Sequence, residues 1–340
     1  MIGTKKHIFT VIGIALLLGL CAMVTLSLTA GMRSGPKILT YAEMNTLEGT
    51  VPGEMAKAFK AKTEELSGGT LIIDIQANGV LGSEEQLIDN MLGGGNITDF
   101  TRITAYALLQ YGCEKAALLS IPYTFESEEH FYRFAESELA QEFLLEPREI
   151  GLPIRGLCYA QEGFRNFFFK KEVKGIEDLK NMKLRVSNDP IMTGMVNDLG
   201  AYATTVAFTE LYSALSSGVV DGAEQPTANY LSNAFPEVAP NLILDGHTLG
   251  AMQIVMAEYR WEQLTEQEQG WIMEAAQYAA KAANEKVDEI LEDTFAQLRE
   301  KGVNIVEVED KTPWMEACRD TIETHTKNNR ELYQRILDMK

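Results

Sequence analysis

The feature that most constrains the fold is a strand–helix alternation that recurs along the chain. Ile38–Ala42 reads as a short strand, and Pro52–Leu66 places apolar residues at helical spacing before Gly68 and Gly69 stop it. A second strand, LIIDIQ, occupies Leu71–Gln76. Ser83 with Gln86 three residues on is a capping-box signature; the helix it opens runs into Gly93, Gly94 and Gly95, before a third strand near Ile97–Thr101. Helices between successive strands give βαβαβ, the unit of a mostly parallel α/β lobe.

The rhythm returns later, in Asn166–Lys171, Lys183–Val186, a helix from Asp189 to about Leu199, a strand near Ala203–Ala207, a helix from Thr209 and a strand at Val219–Gly222. The order of elements recurs without a repeated sequence, so two α/β lobes are expected and no duplication is claimed. From Thr265, capped with Glu268, a helical pattern meets no breaker until Gly302, apart from Gly270 in its first turns. As one helix it would run on the order of 50 Å, longer than a lobe of this size is wide, and would span both lobes. Two stacked helices with a kink inside Ala279–Ala283 are the alternative.

With 340 residues and 46% apolar content the chain can bury a sizeable core. Its net charge of −19 falls almost wholly beyond the N-terminus, where the first acidic residue is Glu43. Such a surface repels a phosphate backbone, and no basic run interleaved with aromatics offsets it, which argues against nucleic acid as a partner. Lys5 and Lys6 precede the apolar stretch Ile8–Gly31, the pattern of an export leader. At roughly 20 or more apolar residues it is also long enough for a retained membrane anchor. Ala30 offers a cleavage position; Cys21 raises lipidation, against which stands the bulky Leu20 before it. The protein is therefore expected outside the cytoplasm, in the periplasm or tethered to the outer face of the cytoplasmic membrane.

Cys113, Cys158 and Cys318 are too scattered for a disulfide framework or a zinc site and read as buried packing residues. His7, His130, His247 and His325 show no metal spacing, and HExxH, GxSxG, GxGxxG and Walker patterns are absent from the sequence. No cofactor or metal is implied, and nothing assembles a nucleophile, base and oxyanion donor.

Ligands of open α/β sheets bind beyond the carboxyl ends of strands. The residues there are Glu43, Asn45, Asn78 and Arg102 in the first lobe, and Arg185 with Ser187, Phe208, Glu224 and Gln225 in the second. Arg165 leads into the aromatic strand NFFF. A guanidinium suits a carboxylate because its planar fork donates two parallel hydrogen bonds and keeps its charge on burial. Three arginines beside strand ends thus describe an organic-anion site, with Phe208 against the carbon skeleton and the Gln225 amide as a further donor. Structural ion pairs, for Arg185 with Glu224 or Asp221, and an ordinary core role for Phe208 are the competing readings.

The stretches ELSGGTLIIDIQANGVLGSEEQL, IPYTF, EGFRNFF, EDLKNMKLRVSNDPIM and LGAYATTVAFTELYSALSSGVVDGAEQP, with the long helix from Thr265, resemble the DctP-type solute-binding proteins of tripartite ATP-independent periplasmic (TRAP) transporters. The resemblance runs from about Lys37 to Gly302. It implies a two-lobed periplasmic-binding-protein-like α/β fold with a long helix across both lobes, closing on a carboxylate-bearing solute that is passed to separate membrane subunits. On that basis residues 1–36 are leader or anchor, 37–162 with 251–290 form the first lobe, and 163–250 with 291–340 the second. The resemblance matches Arg185 to the carboxylate-binding arginine, Arg165 to its assistant and Phe208 to the packing aromatic. Gln225 stands where the family usually has Asn, which lengthens the reach by one methylene. Arg102 suggests a dicarboxylate or a sugar acid, and Glu43, Asn45 and Asn78, as partners for hydroxyls, favour uronates or aldonates. Glu224 is expected to orient an arginine. An extracytoplasmic enzyme acting on a sugar acid, or a ligand-sensing partner of a membrane receptor, are the other readings.

Overall fold

A computed structural model describes residues 35–340; the expected leader, with Ala30 and Cys21, lies outside the described residues. Strand β1 (Lys37–Ala42), helix α1 (Val51–Leu66), β2 (Leu71–Gln76), α2 (Glu84–Leu92) and β3 (Phe100–Thr104) follow the expected βαβαβ order. Both hydrogen bonds of the Ser83–Gln86 capping box are present, and β1 runs parallel to β3 with Tyr41 opposite Phe100. β3 begins three residues later than expected, so Arg102 stands within the strand and not beyond it.

Helices α3 (Glu128–Ala135) and α4 (Glu138–Glu149) lead into β4 (Ile154–Phe169), of which the sequence reading held only the aromatic end. Then come β5 (Lys183–Val186), α5 (Pro190–Asp198), β6 (Tyr202–Thr205), α6 (Leu211–Ser217), β7 (Gly222–Pro226) and α7 (Thr227–Ser232). The strand expected at Val219–Gly222 is β7, displaced onto GAEQP. Gly218 turns the chain at φ 78° and Val219 is left exposed, whereas Glu224 and Gln225 are buried inside the strand. Pairing with β4 on one side and β5 on the other overrides the apolar Val219–Val220 signal.

β8 (Asn241–Ala257) was not foreseen, yet it and β4 form the centre of the fold. They pair antiparallel from Ile154–Ala257 to Phe169–Asn241 within one nine-stranded sheet, ordered β2-β1-β3-β8-β4-β7-β5-β6, with β9 (Asn304–Glu307) beside the first residues of β8. β3 pairs with the Met252–Met256 end of β8, and β7 with the Arg165–Phe169 end of β4. Each half of the sheet has its own core. Tyr41, Phe59 and Phe100 pack with Ile254 in one, Phe167, Leu184 and Met195 with Ile243 in the other.

The long helical segment crosses both halves as α8 (Glu266–Asn284) and α9 (Val287–Glu300). Ala275, Ala276 and Ala279 of α8 pack on the first core, and Leu298 of α9 packs beside Phe168 and Leu215 of the second half. The interruption falls at Glu285–Lys286 and not inside Ala279–Ala283. There the Asn284 side chain accepts from the Gln161 backbone at 3.2 Å, and its carbonyl accepts from the Tyr132 hydroxyl at 3.4 Å, a bond that competes with the helical ladder. The final helix, α10 (Arg330–Leu337), buries Ile336 among Phe125, Phe131 and Phe134, so the chain ends against the half containing α3 and α4. Cys113, Cys158 and Cys318 are free and buried. Among the described residues no helix is long and apolar enough to cross a membrane.

The tightest approach at the β4–β7 seam is at Gly222, where a Cβ would stand 2.6 Å from the Phe168 carbonyl. Gly222→Ala must therefore move backbone, and we expect a loss of about 1–3 kcal/mol. Thermal unfolding followed by circular dichroism should show a midpoint several degrees below wild type.

Candidate functional site

The carboxyl ends of β1, β3, β5 and β7 converge on a cavity of about 140 Å³, roughly ten times what one water needs. Arg102, Arg165 and Arg185 all line it, each less than 5% exposed. Burying a guanidinium without a partner is costly, and the three solve this differently.

Glu43 holds Arg102 from behind as a bidentate pair, Nη2–Oε1 2.7 Å and Nε–Oε2 3.2 Å. Glu224 does the same for Arg165, Nη2–Oε1 2.9 Å and Nε–Oε2 2.5 Å. Arg185 donates its Nε to the Val206 carbonyl at 2.8 Å. It has no carboxylate partner among the described residues, so the competing reading, an ion pair with Glu224 or Asp221, is not what the structure shows. Desolvation accordingly lowers its pKa, although the Glu224 charge works the other way, whereas in Arg102 and Arg165 the paired carboxylates overcome burial and raise it. Arg185 is the cavity cation whose terminal nitrogens are left for a ligand.

Behind Arg165 lies a buried chain of charges. Glu224 is 3.5 Å from His247 Nε2, a distance for an ion pair without a hydrogen bond, and His247 Nδ1 is 2.6 Å from Asp245 Oδ2. Asp245 Oδ1 also accepts from the Phe167 backbone at 3.0 Å. Burial would discharge the imidazole, but Asp245 and then Glu224 hold its pKa up at about 9. Glu224 is likewise penalised by burial, yet Arg165 and His247 bring it down to about 2. Charge thus alternates from Arg165 to Asp245, and each member orients the next.

Of the residues singled out in the sequence, Asn45, Arg102, Arg165, Arg185, Ser187, Phe208 and Gln225 line the cavity. Glu43 and Glu224 do not; each is fully buried behind its arginine. Asn78 is not in the lining either. It is exposed, at φ 61°, where it makes the left-handed turn after β2 and donates its backbone N–H to the Asn45 carbonyl. Phe208 takes both of its possible roles: it lines the cavity and meets Phe235 edge-on at 6.1 Å. Sequence reasoning missed Glu84, Tyr106, Glu162, Asn188 and Asn229. Only Glu162 left a signal, a glycine immediately after it inside a strand pattern, the mark of a bulge.

The family described as bacterial extracellular solute-binding protein, family 7 (DctP), matches residues 43–329. A solute-binding protein of Roseobacter denitrificans is 31% identical over 78% of this chain and 80% of its own length. The TRAP periplasmic solute-binding protein of Pseudomonas putida F1, solved with bound D-glucuronate, superposes with a TM-score of 0.84 at 26% identity, over 88% of this chain and 96% of that one. The solved Roseobacter denitrificans protein, with bound L-galactonate, gives 0.82 at 28% identity over 89% and 99%.

The raised pKa of His247 has a sign that can be checked. A folded value near 9 against an unfolded value near 6.5 means stability that is fully present below about pH 6.5 and is lost as the pH rises through 9. We expect about 1–3 kcal/mol to disappear over that window in urea titrations of the wild type. His247→Gln should remove most of the slope; a wild-type stability flat from pH 6.5 to 9.5 would show the imidazole to be neutral.

Proposed function

The chain belongs to bacterial extracellular solute-binding protein family 7, the DctP family, and is the extracytoplasmic solute-binding subunit of a TRAP transporter for an organic acid; we propose that Arg185 is the anchor of the acid's carboxylate. The observation that carries this is the contrast among three buried arginines, two neutralised bidentately by Glu43 and Glu224 and one not. An acid entering the cavity supplies the missing counter-charge, and its two oxygens match the guanidinium fork. Gln225 donates its amide to the same carboxylate, Arg165 assists under the control of Glu224, and Phe208 packs on the carbon skeleton. We read Asn45 as an acceptor for hydroxyls, Glu43 as the support of Arg102, and Asn78 as a turn residue outside the site.

The acid is a sugar acid in this reading, supported by the D-glucuronate and L-galactonate carried by the two solved relatives. The lobes divide where β4 and β8 pass from one half-sheet to the other. In this reading residues 37–162 and 251–290 form one lobe and 163–250 with 291–340 the other, apart from α10, which packs beside α3. The first 36 residues direct export and leave the protein periplasmic or tethered to the outer face of the membrane. It delivers its ligand to separate membrane subunits and catalyses no reaction on it.

Thermal unfolding of the purified protein with uronates, aldonates, C4-dicarboxylates and 2-oxo acids tests the anchor. A ligand at 100 times its dissociation constant adds about 2.7 kcal/mol, several degrees of midpoint. Arg185→Ala should lose ~2–5 kcal/mol of binding energy, by the loss of a buried charge-assisted contact. Affinity within threefold of wild type in that variant would dispose of the assignment, and turnover of the bound acid would point to an enzyme instead.

A further inference from the structure

Glu162 carries a buried carboxylate into the cavity that organic-acid binding alone does not require. It is 2% exposed and lines the same space as the three arginines. Its position is imposed by backbone geometry. Residues three apart on a regular strand point to opposite faces, yet Glu162 and Arg165 of β4 share the cavity. Between Gln161 and Phe164 the register advances three residues against two on β8, and Gly163 sits at φ 84° in the resulting bulge. Opposite it, a Cβ on Gly250 would stand 2.7 Å from Glu162 Cγ, so the glycine leaves room for the side chain.

The surroundings of Glu162 are arranged as acceptors. Asn229 donates Nδ2 to Glu162 Oε2 at 2.9 Å, and Asn45 donates Nδ2 to Glu43 Oε1 at 3.0 Å. Ionised carboxylates only accept, so both amides are fixed with their oxygens turned away from those partners. Those two oxygens, Asn45 Oδ1 and Asn229 Oδ1, are buried without any hydrogen bond, although both residues line the cavity and are no more than 3% exposed. Glu84 adds another carboxylate to the wall, its oxygens engaged by the Thr104 backbone at 2.6 Å and hydroxyl at 3.1 Å. Arg102, the cation of this region, is already neutralised by Glu43.

We propose that Glu162, with the free amide oxygens of Asn45 and Asn229, makes the site selective for acids with one carboxylate and a hydroxyl-bearing tail, and turns away acids carrying a carboxylate at both ends. Hydroxyls satisfy the orphaned oxygens and Glu162 by donating to them. A second carboxylate has nothing to donate and faces like charge, a repulsion that specificity commonly rests on. Burial raises the Glu162 pKa against the opposing charges of Arg102 and Arg165, so the exclusion weakens as the pH is lowered. This inference rests on Arg185 as the carboxylate anchor, and narrows the choice that Arg102 left, a dicarboxylate or a sugar acid, to the sugar acid.

Calorimetric titration of the purified protein at pH 7.5 with D-galacturonate, D-glucuronate, L-galactonate and D-gluconate, against galactarate and D-glucarate, tests it. The tightest one-carboxylate acid should bind at least tenfold more tightly than either two-carboxylate acid. In Glu162→Gln that ratio should narrow at least fivefold, while Glu162→Asp, which keeps the charge, should preserve the preference. Equal or tighter binding of galactarate or D-glucarate by the wild type would overturn the inference and leave the anchor standing. So would an unchanged ratio in a folded Glu162→Gln. Retention of affinity in Arg185→Ala, or no binding of any acid, would instead remove the anchor, and the inference with it.

Discussion

The antiparallel ladder between β4 and β8 is the interaction on which the rest of the molecule depends. Two strands of 16 and 17 residues run the length of the sheet, carrying β3 at one end and β7 and β9 at the other. A perfect ladder would send every second residue to one face. This one shifts register between Gly156 and Cys158, between Gln161 and Phe164 and between Arg165 and Phe167. The second and third shifts fall at the cavity. There they turn Glu162 and Arg165 inward, and leave Asp245 to bond the Phe167 backbone N–H. The scaffold and the site are thus one construction, since the irregularities of the central ladder aim the polar groups.

Burying three guanidinium groups in an apolar fold sets the second constraint. Had all three been left unpaired, their desolvation would oppose folding, and any small anion would occupy the space. Pairing two of them from behind, with carboxylates that do not line the cavity, removes that difficulty and holds each fork in a fixed plane. The arrangement is stabilised further by His247 and Asp245 behind Glu224. What remains for the ligand to complete is a single uncompensated cation.

Much of this was legible in the sequence, for definite reasons. Capping boxes at Ser83 and Thr265 and the KLRV strand are local signals, and the structure places them where local reasoning does. Arginines in apolar strands are conspicuous because burial is expensive, and all three line one cavity. What escaped depends on distant pairing. β8 reads NLILDGHTLGAMQIVMA, with glycines, an aspartate and a histidine that break any strand pattern, and only β4 alongside makes it a strand. Glu224 and Gln225 read as residues past the end of a strand until β4 and β5 bury them within one from both sides. Asn78 looked like a ligand residue because it follows a strand, but a left-handed turn is the commoner use of an asparagine there.

The two ends of the cavity also lie on different halves of the fold. Arg185, on β5, belongs to one half; Asn45 and Glu84, beyond β1 and at the start of α2, belong to the other. Across the rim, the Tyr106 hydroxyl meets Ser187 Oγ at 2.8 Å and Asn188 donates to Gln110 at 2.7 Å, so protein contacts tie the halves together. Those bonds are few and polar, worth individually about 0.5–1.5 kcal/mol in water-accessible settings. A solute whose carboxylate meets Arg185 and whose hydroxyls meet the opposite wall adds bonds on both sides at once. An acid lacking either end engages one half only and gives no bias between open and closed forms, since a ligand shifts such an equilibrium only by its differential affinity for the two states. Were the two halves to close on the solute, its selection and the closure would rest on the same contacts.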